Sequence, residues 1–277
     1  MKCLACVAVL FGLFTSHAAA MEPSELRQLL KRPRVAKFKG EAREASGFRD
    51  TFITDSDIAF PFVVNGDGVA TKLQLINFEA REVEYEIFFL DDEGFPIRLP
   101  IRDRGNVSSF KARISNLGST TIETTATGDL TIAWAFFDAG TNKVAGNAVL
   151  ELGTELGIFA ASYPAQFFGD KRVKAYFDNT RDNETDFSIV NISTSDAEVA
   201  VTLRGEDGSS MKAETIRITS LGVANYTPAD ASHAARGARG TIDISYPAGQ
   251  RGGVAVLGIQ FYSGDGGLVF HPGFTIE

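Results

Sequence analysis

The segment from Thr71 to Gly94 (TKLQLINFEAREVEYEIFFLDDEG) aligns without a gap on Thr185 to Gly208 (TDFSIVNISTSDAEVAVTLRGEDG). Four of the 24 columns are identical: Thr71/Thr185, Asn77/Asn191, Glu84/Glu198 and Gly94/Gly208. With apolar–apolar and acid–acid pairs included, 15 columns agree in kind. Such agreement marks one folding unit used twice, so whatever this chain folds into must be built from two related halves. The shared features belong to strands and turns. Val83, Tyr85, Ile87 and Phe89 alternate with Glu84, Glu86 and Phe88, the period-2 pattern of a strand with one face turned inward. Asp91-Asp92-Glu93-Gly94 then makes the turn, with Gly supplying positive φ and Asp bonding back to the backbone.

The repeat continues at altered spacing. Arg113-Ile114 and Leu117-Gly118 match Arg217-Ile218 and Leu221-Gly222 at an offset of 104, against 114 in the first block. The first copy therefore carries ten extra residues, around Phe95 to Ser109. Thr131 to Phe136 (TIAWAF) is matched with Thr241 to Tyr246 (TIDISY), and each copy closes on a further β run, Ala148 to Leu152 and Val254 to Phe261. Six to eight short strands per copy, with Gly and Asp turns, predict an all-β chain of antiparallel sandwiches. The expected domains are 51–160 and 165–277, joined at Tyr163-Pro164-Ala165 and packed end to end. Strand, Asn at its end, strand and Asp-Gly turn, duplicated behind a signal segment, resembles tandem immunoglobulin-like β-sandwich modules of bacterial exported proteins. The resemblance covers residues 60 to 277 and implies an architecture, with no catalytic or binding residues to carry over.

The first 20 residues read as a secretion signal: Lys2, an apolar run from Cys3 to Phe14, then Ala18-Ala19-Ala20 as the cleavage pattern. The run is shorter than the about 20 residues that a membrane span needs. Leu4-Ala5-Cys6 looks like part of a lipidation box, but Cys6 precedes most of the apolar run. Cleavage after Ala20 removes both cysteines, Cys3 and Cys6, so the expected exported chain, periplasmic or extracellular, has neither disulfides nor thiol or zinc–thiolate chemistry. Residues 21–50 hold eight Lys/Arg and five acids, a net of +3, whereas residues from 51 onward carry −12. This basic leader is read as partly helical, with Leu26, Leu29 and Leu30 on one face up to Pro33. It either lies along the acidic body or meets an anionic surface. An exported, acidic protein is a poor candidate for nucleic-acid binding.

Chemistry-bearing motifs are sparse. His233 and His271 stand 38 residues apart, without the spacing of a zinc site. No Gly-x-Ser-x-Gly elbow and no phosphate-binding Gly-x-x-x-x-Gly-Lys loop is present. Acidic loops at Asn65 to Gly68, Asp91 to Gly94, Asp178 to Asp186 and Gly264 to Gly266 offer hard oxygen ligands. Asp178, Asp182 and Asp186 form the best calcium candidate, although none fits the twelve-residue loop. Paired carboxylates for glycoside hydrolysis are available in number, but the lone Trp134 reads as core and not as a sugar platform. Glu84 and Glu198, on the polar side of their strands, read as surface support. The expected function is a non-catalytic exported binding or structural protein without a cofactor. The alternatives are a glycan-binding or glycan-active protein, and a surface adhesin or assembly subunit with an exposed strand edge. The segments that the copies do not share, Phe95 to Ser109 and Ala229 to Gly240, are where specificity is expected.

Overall fold

A computed structural model describes residues 57–141, 143–154, 157–167, 171–262 and 268–276. The expected signal segment, the expected leader and the Gly264-Asp265-Gly266 loop lie outside these residues. The fold is all-β, and all its strand pairs are antiparallel. In the first half the strands are β1 (Ile58–Asn65), β2 (Val69–Asn77), β3 (Val83–Leu90), β4 (Leu99–Ile101), β5 (Gly105–Val107), β6 (Ser109–Ile114), β7 (Ser119–Glu123), β8 (Thr131–Asp138), β9 (Val144–Thr154), β10 (Gly157–Pro164) and β11 (Gln166–Phe167). The second half has β12 (Arg172–Asp178), β13 (Glu184–Ile192), β14 (Ala197–Gly205), β15 (Ser210–Ile218), β16 (Val223–Tyr226), β17 (Arg239–Ser245), β18 (Gly253–Phe261), β19 (Leu268–Pro272) and β20 (Phe274–Thr275). A short helix, α1 (Pro228–Ala231), and a 3₁₀ turn at His233–Ala235 precede β17.

The strand order is the same in both halves. Sheet I is β10-β9-β2-β7 and sheet II is β11-β1-β8-β3-β6; sheet III is β16-β13-β18-β19 and sheet IV is β15-β14-β17-β12-β20. Sheet I corresponds strand for strand to sheet III, and sheet II to sheet IV. The ten extra residues of the first copy form the β4–β5 hairpin, within the segment the repeat arithmetic singled out. Each half has nine shared strands, more than the six to eight expected, because each copy adds two strands at its end, β10 and β11 in the first and β19 and β20 in the second. At the expected joint Tyr163 and Pro164 close β10, Tyr163 is fully buried, and β11 pairs back onto β1. Burial pushes the Tyr163 hydroxyl pKa up, and this group hydrogen-bonds the backbone of Phe62.

The repeated polar residues have one job in both halves. Asn77 Nδ2 donates to the carbonyls of Arg81, Ile114 and Ser115 at 2.8, 3.3 and 3.0 Å. Asn191 Nδ2 donates to Ser195, Ile218 and Thr219 at 2.9, 3.3 and 2.9 Å. Thr71 Oγ1 accepts from Val64 N and donates to Val64 O, while Thr185 Oγ1 does the same with Asp178. These side chains satisfy backbone groups where strands end, a requirement of any buried main chain.

The halves pack face to face, not end to end. One apolar cluster fills the space between sheets I and II, a second fills that between III and IV, and a third lies between II and III. The result is four stacked layers in the order I, II, III, IV. In the central contact Ala59, Leu90, Trp134 and Phe136 of sheet II meet Val190, Ile192, Leu221 and Ala255. Trp134 is thus buried as expected, but between the halves and not inside one sandwich. Its Nε1–H donates to Leu221 O at 3.0 Å. Val223 N donates to Asp92 O at 2.8 Å and Ser188 Oγ to Pro61 O at 3.1 Å. The approach is close at Gly94, where a Cβ would stand 2.4 Å from Ser220 O. At the open side of the first half, Leu257, Ile259, Phe261, Leu268 and Phe270 of β18 and β19 join its core. There the Gln166 amide donates to Val256 O at 2.5 Å and accepts from Val256 N at 2.6 Å.

Candidate functional site

Since sheets II and III cover each other, the broad faces left to solvent are the outer faces of sheets I and IV. Pairing registers put equivalent positions of sheets II and IV side by side. Leu90 pairs with Trp134 and Phe88 with Phe136; in the second half Arg204 pairs with Thr241 and Thr202 with Asp243. Trp134 therefore corresponds to Thr241, and Phe136 to Asp243. The sequence match of TIAWAF with TIDISY is off by three residues. An odd slip turns every side chain to the other face, so pairing overrules the letters. The apolar inner face of sheet II, made of Ala59, Leu90, Trp134 and Phe136, becomes Lys174, Arg204, Thr241 and Asp243 on sheet IV.

This sheet IV face is a connected charged surface. Asp243 bridges two strands, with Oδ1 3.1 Å from Lys174 Nζ on β12 and Oδ2 2.9 Å from Arg204 Nε on β14. One row further, Asp178 on β12 pairs with Arg239 on β17 at 2.8 Å. Two aromatic side chains are exposed at the β12–β20 side: Tyr176, and Phe274, which pairs with Lys174 and so shares its face. The His271 ring meets Tyr176 edge-on at 5.7 Å, and its Nε2 lies 2.5 Å from Gln260 Oε1. Burial lowers the His271 pKa against the opposing charge of Asp178. His233 lies apart, exposed in the 3₁₀ turn.

The calcium candidates do not converge. Asp178 ends β12 in sheet IV, with Oδ1 accepting from Thr180 N and Thr180 Oγ1 at 2.8 and 2.6 Å. Asp182 sits in the following turn at φ 63°, next to Arg181 at φ 53°, the two left-handed residues of a tight turn that carries the chain from sheet IV to sheet III. Asp186 lies on β13 in sheet III, where Oδ1 accepts from Thr227 Oγ1 at 2.6 Å. Among the described residues no group of three or more His, Cys, Asp or Glu is placed to hold a metal. Glu84 is cross-strand support as expected, ion-paired with Arg113, which also takes Glu82 at 3.2 Å. In the second copy Arg217 turns instead to Asp196 at 2.7 Å.

Burial acts to raise the Asp178 carboxyl, but hydrogen bonds from Thr180 and the Arg239 guanidinium outweigh it and hold the pKa below the usual range. A carboxyl depressed in the folded state adds stability above its unfolded pKa of about 3.9, lost as pH falls through the folded value. Asp178→Asn is therefore expected to cost about 1–2 kcal/mol at neutral pH. It should also shrink the stability gap between neutral and acidic solution, read from urea titrations at about pH 7 and about pH 2.

The edge strand β15 carries Lys212, Glu214 and Arg217, the kind of charge that blunts strand addition. Among the described residues no helix is long and apolar enough to cross a membrane. Comparison of the chain with protein-family models, with curated proteins and with solved structures finds no match.

Proposed function

We propose that the chain is a non-catalytic exported binding protein of two duplicated immunoglobulin-like sandwich modules, whose ligand face is the outer side of sheet IV. One observation carries this reading: the same five-stranded sheet is apolar where it faces the other half and charged, with aromatic flanks, where it faces water. A purely structural repeat has no need to set Lys174, Arg204, Arg239, Tyr176 and Phe274 on one flat surface. Rings on such a face offer CH–π contact to sugars, while guanidinium and ammonium groups donate hydrogen bonds to hydroxyl or carboxylate oxygens. A glycan is thus the favoured ligand class. Asp178 is a poor candidate for a glycosidase acid, since hydrogen bonds and the Arg239 guanidinium hold its carboxyl below the usual range and that acid must be protonated.

The test is binding to an array of soluble and cell-wall polysaccharides, followed by titration calorimetry on the strongest polymer. Phe274→Ala and Arg204→Ala, both on exposed or half-exposed positions, are expected to weaken binding at least about tenfold while leaving the fold intact. Absence of binding to any polymer, affinity unchanged in both variants, or release of reducing ends would each sink this reading.

A further inference from the structure

The contact that joins the halves has an uncovered duplicate. Val190, Ile192 and Leu221 form the sheet III side of the central contact and are 0%, 1% and 4% exposed. Their counterparts at the repeat offsets are Ile76, Phe78 and Leu117 on sheet I, which are 46%, 57% and 69% exposed. The backbone beneath is the same. Leu117 and Leu221 have φ of 52° and 54°, and Gly118 N and Gly222 N each donate to the carbonyl three residues back at 2.9 Å. Ala145 pairs with Ile76 as Ala255 pairs with Val190. Conformation, register and apolar character are all repeated, and only the cover differs. Grouped large apolar side chains on one face of a soluble domain mark an interaction site.

The chain itself shows what covers such a patch: in the second half it is another unit of the same repeat, through Trp134, Phe136 and Leu90. A second chain has two broad faces to offer. Sheet IV sets Lys174, Arg204 and Asp243 at the matching positions. There Lys174 and Arg204 share the single Asp243, so pressing this face against Ile76, Phe78 and Leu117 would strip a surplus positive charge of water without a new partner, which costs several kcal/mol per ion. Sheet I of the second chain carries the apolar patch itself, and around it Arg81 pairs with Glu79 at 3.4 Å, Lys72 with Glu151 at 2.7 Å and Arg102 with Glu123 at 2.9 Å. A patch that meets its own copy gives a closed two-fold contact, the commonest symmetry of soluble oligomers. We infer that two copies of this chain associate back to back through the outer faces of sheet I, with Ile76, Phe78 and Leu117 at the centre. The contact is independent of the sheet IV ligand face and would leave that face outermost on both sides of the dimer.

Sedimentation velocity of the full chain from about 1 to about 300 µM tests this. The expected result is a reversible monomer–dimer equilibrium within that range. The double variant Phe78→Asp/Leu117→Asp should sediment as monomer throughout, its dimer weakened at least about a hundredfold. All substituted positions are exposed, so far-UV circular dichroism should be unchanged. Phe274→Asp, on sheet IV, should dimerise as the parent does. A monomer at every concentration, a dimer indifferent to Phe78→Asp/Leu117→Asp, a dimer abolished by Phe274→Asp, or growth beyond dimers would each overturn the proposal.

Discussion

Replacing Trp134 by Ala is expected to cost about 3–5 kcal/mol, the usual range for emptying a buried tryptophan site. The side chain is fully buried between Leu90, Phe136 and the sheet III residues, so its loss opens a cavity where two β layers meet. It also leaves Leu221 O without the donor that satisfies it at 3.0 Å. Trp134→Phe keeps most of the packing and loses that bond, for an expected cost of about 1–2 kcal/mol. Urea titration followed by far-UV circular dichroism gives both values. Trp134 is the chain's lone tryptophan, so its fluorescence reports this contact alone. In the parent protein the fluorescence and dichroism curves should coincide, because the two inner sheets cannot part without exposing both of their apolar faces. A fluorescence transition that precedes the dichroism change would show that the halves separate first.

Asn191→Ala, and separately Asn77→Ala, should each cost about 2–4 kcal/mol. Each side chain is buried and its amide donates to three carbonyls, so truncation orphans acceptors at two loops at once. The donor sets are near-identical, but Asn77 Oδ1 also accepts from Glu79 N at 2.8 Å, whereas Asn191 Oδ1 accepts no hydrogen bond among the described residues. Asn77→Ala is therefore expected to cost up to about 1 kcal/mol more. Asn191→Asp should be worse than Asn191→Ala, since it turns a donor into a carboxylate aimed at carbonyl oxygens. Urea midpoints for the three variants decide this. A cost below about 1 kcal/mol at either site would mean that water replaces the amide there.

The framework was legible in the sequence because it is local. Alternation in Val83 to Phe89, the Asn at the end of β2 and the Gly of the turn each report on their own strand, and duplication doubled the signal. Asn65 and Asn179 form a further repeated pair at the same offset of 114. Asn65 holds Ala126 N and Thr127 O at 3.0 and 2.9 Å, and Asn179 holds Thr185 N and Ala235 O at 2.9 and 3.1 Å. Face-to-face stacking had a signal too. β1 and β18 are buried along their whole lengths, and their apolar runs scarcely alternate, which is how strands with two dry faces read. The sheet IV surface was harder to see. Lys174, Arg204 and Asp243 lie far apart in the sequence and meet only across three strands. Asp178, Asp182 and Asp186 mislead in the opposite way: nearness in sequence is cancelled by a turn that sends the outer two into different sheets.

The closure of the first core by β18 and β19 sets an order in time. During synthesis the first half can form its own strands early, but Leu257, Phe261 and Phe270 come from β18 and β19, about a hundred residues later. Until they arrive, the side of that core near Tyr163 stays open, and a long-range contact of this kind is slow to close. A stop shortly before β18 would therefore leave the first half with an exposed apolar seam. The damage from such a loss would appear about a hundred residues upstream of it, as aggregation of a half whose own sequence is intact.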